Sequence, residues 1–305
     1  MVAGTEFDPV REAKARVSPV VINYNTREDL RRCLRTMEEV LGRLPAVVVD
    51  NGSTDGSQRM VREEFPWVLL VENPGNPGYA SACNAGIRAT DRPYVFILNS
   101  DVEFVGGDLE AVLDYLDGHP EVGALGPLVL NADGTRQMSC RRFPSMLANV
   151  VHGFLGEVWP DNPFTRSYQM KDLEGDAPRE VDWVSGAAML LRREAVEQVG
   201  GFDEAYFMYV EDVDLCWRLR AAGYAVVYHP GFSLIHHIGR TSAQQSTRML
   251  YEHHRSMYLF FRRRYAGWRG ALLTPVVLCG LATRFLLTWG LRKARSGGRG
   301  TAGRA

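Results

Sequence analysis

The first part of the chain alternates short apolar runs with stretches in which apolar residues return every three or four positions. VSPVVINYN (17–25), AVVVD (46–50), VLLVEN (68–73) and PYVFILN (93–99) read as strands. Between the first two, EDLRRCLRTMEEVL (28–41) sets Leu30, Leu34, Met37 and Leu41 on one face of a helix, and residues 79–89 read as another helix. This order over 17–130 predicts an α/β domain with a mostly parallel sheet flanked by helices. Residues 131–180 mix aromatics, prolines and charges with little periodicity and read as a loop-rich, partly helical excursion. Order returns with a strand at 181–191, a short helix at 193–199 ended by Gly200 and Gly201, and a helix at 211–224 with Val213 and Trp217 available for packing. AVVYHP and SLIHHIG follow as short extended pieces.

The apolar pattern changes near Tyr251. Met257, Phe261, Tyr265, Trp268 and Leu272 recur on one helical face, with Arg255, Arg262 and Arg269 on another and Arg263 and Arg264 beside them. That is the pattern of a basic amphipathic helix at a membrane surface. Residues 271–283 carry no charge but are interrupted by Pro275 and closed by Arg284, so a seat in the interface is expected rather than a crossing. The same apolar face would also serve a homodimer. The expected organisation is a flexible lead (1–16), a catalytic domain (17–245), a helical membrane-associating extension (246–292) and a disordered basic tail (293–305).

Charge sharpens this division. The formal net charge is −1 over 305 residues, yet from Arg240 onward there are 13 basic residues and one acid, against 22 basic and 35 acidic before it. The basic end suits an anionic, cytoplasmic membrane leaflet. Nucleic acid is not expected, because the remainder is acidic and shows no recognition module. Cysteines 33, 83, 140, 216 and 279 form no C-x-x-C pair and have no histidine at zinc spacing, which fits a reducing, cytoplasmic setting. Residues 1–16 carry six charges and no apolar core, unlike a secretory signal.

Candidate chemistry gathers where the predicted strands end, which is where open α/β sheets bind ligands. Asp50 closes a run of three valines; it either caps its own turn through Ser53 or Thr54 or accepts bonds from a nucleobase or ribose. NPGNPGY (73–79) precedes a helix holding Ser81 and Asn84, and its glycines would let a pyrophosphate approach the helix amino end. Neither a P-loop nor a G-x-G-x-x-G fingerprint is present. Asp101, after Asn99 and Ser100, is either part of a polar turn or a ligand for Mg²⁺ or Mn²⁺ beside a diphosphate. Glu211 and Asp212 open a helix behind aromatic residues; they are either partners of its dipole or a general base with a raised pKa. Asp214 is expected to pair with Arg218 one turn on. Of His236 and His237, at most one reaches a cation, since neighbours on a strand point to opposite faces.

Taken together, VVINYN, VVVDNGSTDGS, NPGNPGYASACNAGI, FILNSDVEF, the segment from GAAMLLRREAVEQVGGF through YVEDVDLCWRLRAAGY, and HHIG resemble glycosyltransferase family 2, with its GT-A fold, over residues 17–242. Within the family the texture resembles the bacterial rhamnosyltransferases of cell-surface polysaccharide synthesis. The resemblance implies that Asp50 contacts the nucleotide base, with Asn23, Asn25, Asn51, Ser53 and Asp55 nearby, and with Asn76, Gly78, Asn84, Asn99 and Ser100 completing the nucleotide-sugar site. It makes Asp101 the metal ligand in a triplet whose first acid is replaced by Asn99. It makes Asp212 the catalytic base with Glu211 as rival, His237 the histidine at the metal or diphosphate with His236 second, and Gly201, Phe202 and Asp203 an acceptor-side loop. The implied activity is one-step inverting transfer of a sugar, best L-rhamnose, from a dTDP- or UDP-sugar to a polyprenyl-diphosphate-linked or polysaccharide acceptor at the inner face of the cell membrane. Transfer of N-acetylglucosamine, galactofuranose or glucose is the enzymatic rival; a silent membrane-tethered glycan- or nucleotide-binding protein is the rival outside enzymes.

Overall fold

A computed structural model describes residues 16–143, 159, 162, 165, 166, 168, 170, 177–237 and 247–298. The lead 1–15, most of the excursion over 144–176, residues 238–246 and the last seven residues lie outside the described residues.

Strands β1 (Val17–Asn23), β2 (Val47–Asp50), β3 (Leu69–Glu72) and β4 (Tyr94–Asn99) form a parallel half-sheet in the order β3-β2-β1-β4. All seven residues of β1 are buried, as expected of a strand covered on both faces. Helices α1 (Arg27–Leu41), α2 (Ser57–Glu64) and α3 (Tyr79–Arg88) supply the crossovers. The stripe on α1 is buried as its spacing predicts, with Leu30, Leu34 and Met37 fully enclosed.

The sheet then ceases to be parallel. After β5 (Val102–Gly107), α4 (Leu109–Gly118), β6 (Val122–Leu130) and the short β7 (Cys140–Arg141), the predicted strand at 181–191 divides into β8 (Arg179–Val181), β9 (Trp183–Val184) and β10 (Ala188–Arg192). β10 lies antiparallel to both β4 and β6. Helices α5 (Arg193–Gln198) and α6 (Glu211–Ala221) follow. The two extended pieces expected near the end are one twelve-residue strand, β11 (Ala225–His236), parallel to β6 and antiparallel to β5, with its register shifting between Tyr228 and Ser233. The main sheet is therefore mixed, with path β3-β2-β1-β4-β10-β6-β11-β5 and β8 on β11. One core layer joins α1, α2 and α4 to the sheet around the edge-to-face trio Phe96, Phe104 and Phe232. The other joins α3, α5 and α6 through Cys83, Ile87, Val196, Leu215 and Leu219.

Register decides where the polar ends fall. Asn23 pairs with Asp50, Ile22 with Asn99, Leu98 with Ala188 and Val102 with His236, so one rim receives all of them.

The basic end is two helices, α7 (Thr247–Arg264) and α8 (Trp268–Gly298), not one continuous amphipathic helix. The break falls at Gly267, whose φ of +97° suits glycine. The predicted stripe is thereby divided: Phe261 is buried, whereas Trp268 and Leu272 are 70% and 68% exposed on α8. α8 runs through Pro275 without ending and continues into the expected disordered tail as far as Gly298. Because the proline does not divide it, Trp268–Gly290 offers 23 residues containing an 18-residue window of mean hydropathy 1.8, long and apolar enough to cross a membrane by length and composition. Arg16, placed in the flexible lead, is anchored in ion pairs with Glu110, Asp114 and Asp117.

Candidate active site

The end of β2 builds a closed polar network. Asp50, 1% exposed, accepts bonds from Ser53 N (2.8 Å), Gln58 Nε2 (2.7 Å) and Asn23 Nδ2 (2.7 Å). Asn23 also donates to Ser53 Oγ at 3.1 Å and accepts from Thr26 Oγ1 at 2.8 Å, and Thr26 Oγ1 lies 2.6 Å from Ser100 Oγ. Asn25, at φ +53°, accepts from Thr54 N through Oδ1 (2.7 Å), and its own backbone amide donates to Ser53 Oγ (2.8 Å). Asp55 accepts from Arg27 N (2.8 Å) and from Ser57 N and Oγ (3.0 and 2.6 Å). Burial raises its carboxyl, but Ser57 and the amides of Arg27 and Ser57 hold it below the ordinary aspartate value. The capping reading of Asp50 is thus what the structure contains. Asn23 and Ser100, both fully buried, join the two turns instead of facing solvent. Beside them a hollow of about 310 Å³ is lined by Asn25, Thr26, Arg27, Glu28, Asp29 and Asp55.

The NPGNPGY turn is committed within the protein. Gly78 N donates to Asn76 Oδ1 (3.0 Å), and Tyr79 N donates to Phe207 O (2.7 Å). A side chain at Gly78 would lie 2.6 Å from Phe207 O, so its glycine admits the 203–210 loop, and two amides expected to face a pyrophosphate are occupied. Asn51, also buried, accepts from Asn73 (2.8 Å) and donates to Gly78 O (3.2 Å). Asn84 lies apart from the nucleotide turns: it donates to Phe202 O (2.8 Å) and Glu204 Oε1 (2.9 Å) and accepts from Phe202 N (2.9 Å).

Past β4, Asp101 is 3% exposed and His236 Nε2 lies 3.2 Å from its Oδ1. His236, at the end of β11, takes the place expected of His237; the strand's alternation turns His237 to Glu103, at 2.7 Å. Gln137 fixes the His236 ring. Its Nε2 donates to Asn131 Oδ1 (3.1 Å), which leaves Oε1 2.8 Å from His236 Nδ1. With Nδ1 facing Gln137 Oε1, the ring points Nε2 at a carboxylate oxygen of Asp101. Asn99 Nδ2 is 3.5 Å from the same Nε2. Among the described residues no three His, Cys, Asp or Glu side chains converge as a self-contained metal centre. One carboxylate and one oriented imidazole nevertheless suit a cation whose other positions go to phosphate oxygens and water.

Asp212 reaches this rim through the turn before β10. Its Oδ2 accepts from Gly186 N (2.9 Å) and Oδ1 from Val213 N (2.8 Å), while the neighbouring Ala187 O accepts from Asn99 N (3.0 Å). Tyr79 Oη donates to Gly186 O at 2.7 Å. Burial pushes Asp212 up; the Gly186 and Val213 amides and the Arg141 guanidinium oppose it, and the net direction is upward. Arg141 lies over the rings of Trp183 and Tyr168, at 5.2 and 5.4 Å. Glu211, 6% exposed, has one oxygen without a hydrogen-bond partner among the described residues, and burial followed by the charge of Asp212 raises it well above the ordinary value. Asp214 pairs with Arg218 at 2.7 Å as its spacing predicts.

The expected acceptor-side loop is only partly open. Phe202 is 2% exposed within the core, Asp203 pairs with Arg263, and a side chain at Gly201 would meet Asn84 Oδ1 at 2.7 Å. A broad depression of about 840 Å³ along this loop shares no residue with Asp50, Asp101, Asp212 or His236. Gln58, Thr26, Gln137, Gly186 and Arg141 were not legible as site residues, because their partners lie up to 107 positions away and no local motif marks them. Asp50, Asn99, Asp101, Asp212, His236 and His237 are brought to one rim, the His237 amide donating to Asp101 O (3.0 Å) while its ring turns to Glu103; Asn84 and Phe202 are not.

Comparison with known proteins gives the family and the fold. The family described as Glycosyl transferase family 2 matches residues 18–200, and Glycosyl transferase family group 2 matches 138–296. The chain is 38% identical over 294 residues to N-acetylglucosaminyl-diphospho-decaprenol L-rhamnosyltransferase of Mycobacterium tuberculosis, covering 92% of this chain and 95% of that protein. It is 30% identical over 180 residues to rhamnosyltransferase WbbL of Escherichia coli, covering 58% of this chain and 64% of that one. Among solved structures, mannosyltransferase PcManGT from Pyrobaculum calidifontis, in complex with GDP-Man and Mn²⁺, superposes with a TM-score of 0.56 at 20% identity over 94% of this chain and 79% of its own. GalNAc-T7 with UDP, GalNAc and Mn²⁺ gives 0.55 at 14% identity over 73% of this chain and 44% of its own; both establish the GT-A fold. The chain belongs to glycosyltransferase family 2 and is a glycosyltransferase.

Proposed function

We propose that the protein transfers L-rhamnose, with inversion, from a dTDP- or UDP-sugar to a polyprenyl-diphosphate-linked acceptor in cell-envelope glycan synthesis. The observation that carries the reading is the meeting of Asp212, held by two backbone amides, with the Asn99–Asp101 turn across two consecutive residues, Gly186 and Ala187. The decaprenol-linked activity named for the relative at 38% identity supports the choice of sugar and acceptor.

Asp212 takes the proton of an acceptor hydroxyl as that oxygen attacks the anomeric carbon. Its raised pKa suits it to hold the proton, and the amides of Gly186 and Val213 orient its oxygens. The network around Asp50 holds the turns at 23–26 and 50–58 rigid before a nucleotide rests on them, which limits the ordering cost of binding. Asp101 and His236 are the residues that would hold Mg²⁺ or Mn²⁺, which when bound supplies charge neutralisation for the departing nucleoside diphosphate.

The exposed apolar side chains of α8, among them Trp268, Leu272, Val276, Leu286 and Leu287, support seating in the cytoplasmic leaflet near a lipid-linked acceptor. The test is a thermal-shift screen with dTDP-, UDP- and GDP-sugars, with and without Mn²⁺, followed by transfer to an N-acetylglucosaminyl-diphospho-polyprenol. The largest stabilisation is expected from a dTDP- or UDP-sugar with Mn²⁺. Stabilisation by GDP-sugars alone would overturn the donor assignment.

A further inference from the structure

The segment 203–210, which leads into Glu211 and Asp212, is held between two elements. On one side Phe207 O takes Tyr79 N at the start of α3. On the other lies α7, whose fully buried Ser256 donates to Met208 O (3.0 Å) and whose Arg255 donates to Ala205 O (2.9 Å). Arg248 also lies 4.6 Å over the Phe207 ring. The segment ends in two consecutive non-glycine residues in left-handed conformation, Tyr209 at φ +68° and Val210 at φ +71°. For a β-branched residue that backbone is costly and persists only when the surroundings enforce it.

Arg263 of α7 joins both ends of the segment. One of its nitrogens pairs with Asp203, at the entrance, and another lies 3.1 and 3.2 Å from the two oxygens of Asp214, inside α6. The Asp214 side chain is fully enclosed and has Arg218 and Tyr206 as its other partners. A planar guanidinium can engage two carboxylates at once; an ammonium cannot reproduce that fork.

We infer that Arg263 is a positioning residue: it ties the 203–210 segment to α6 and so fixes the base, making α7 part of the catalytic apparatus as well as the link to α8. The inference rests on the reading of Asp212 as the base. Its test uses the full chain with a nucleotide-sugar donor.

Arg263→Ala is expected to lower kcat at least tenfold while donor KM stays within twofold, and Arg263→Lys to recover only part of the loss. Asp203→Asn should lower kcat in the same direction, and the double variant should be no worse than Arg263→Ala alone, since both remove one device. Hydrogen exchange gives a readout independent of turnover: amides of 205–209 should exchange at least tenfold faster in Arg263→Ala than in wild type. Unchanged exchange there overturns the inference, as does kcat within twofold of wild type or fully additive loss in the double variant. If Asp212→Asn keeps wild-type turnover while exchange at 205–209 still rises in Arg263→Ala, the base assignment falls and the clamp stands.

Discussion

The carboxylates of Asp50 and Glu211 are buried and that of Asp212 is partly buried at one rim, yet they are treated in opposite ways. Asp50 ends a parallel strand and receives three donors from its own turn and its neighbour. The Glu211–Asp212 pair opens a helix in the antiparallel half; Asp212 has two amides, and Glu211 has an oxygen with no hydrogen-bond partner among the described residues. A carboxylate satisfied before any ligand arrives serves as scaffold. One left short of donors resists ionisation and suits proton exchange.

The largest expected effect tests the second kind. Asp212→Asn should lower transfer about 10²–10⁴-fold while nucleotide-induced stabilisation persists. Initial rates with a dTDP- or UDP-sugar decide it, and a loss smaller than tenfold would remove the contrast. A middle effect concerns the rim between the two regions. His236→Ala should raise the Mn²⁺ concentration needed for half-maximal activity about tenfold, whereas His237→Ala should leave it near wild type. Titration of activity with Mn²⁺ after chelation separates the two histidines, and equal shifts would undo the preference for His236.

The smallest effect is on stability. The carboxyl of Glu211 is raised in the fold, so its contribution is full below the ordinary glutamate value of 4.5 and is lost as pH rises through the raised value. Glu211→Gln lacks that loss. The variant should melt close to wild type in acid and higher than wild type at pH 8, by about 2–4 °C for each kcal/mol relieved. Melting curves across pH that run parallel for the two proteins would show that Glu211 is not held neutral.

The parallel half was readable because each signal there is local: Leu30, Leu34 and Met37 mark a face, and the valines of 47–49 mark a strand whose end is Asp50. The motifs mark Asp101 and Asp212 as candidates for the same reason. What escaped reading depends on distant pairing. No spacing shows that 181–191 must break so that Gly186 can turn toward Asp212, or that β11 is one strand bringing His236 beside Asp101. Buried amides such as Asn23 and Asn84 looked like ligand contacts because composition shows a polar side chain but not the partner that uses it. At the basic end the sequence points to an interruption at Pro275, because a proline removes an N–H, yet α8 runs through it.

Of the five cysteines, all reduced, four are enclosed and Cys279 alone is exposed, near the midpoint of the apolar stretch of α8. The wild-type chain therefore carries a single thiol open to maleimide chemistry, at the spot where a fluorophore's emission colour would report how deeply the helix sinks into a vesicle.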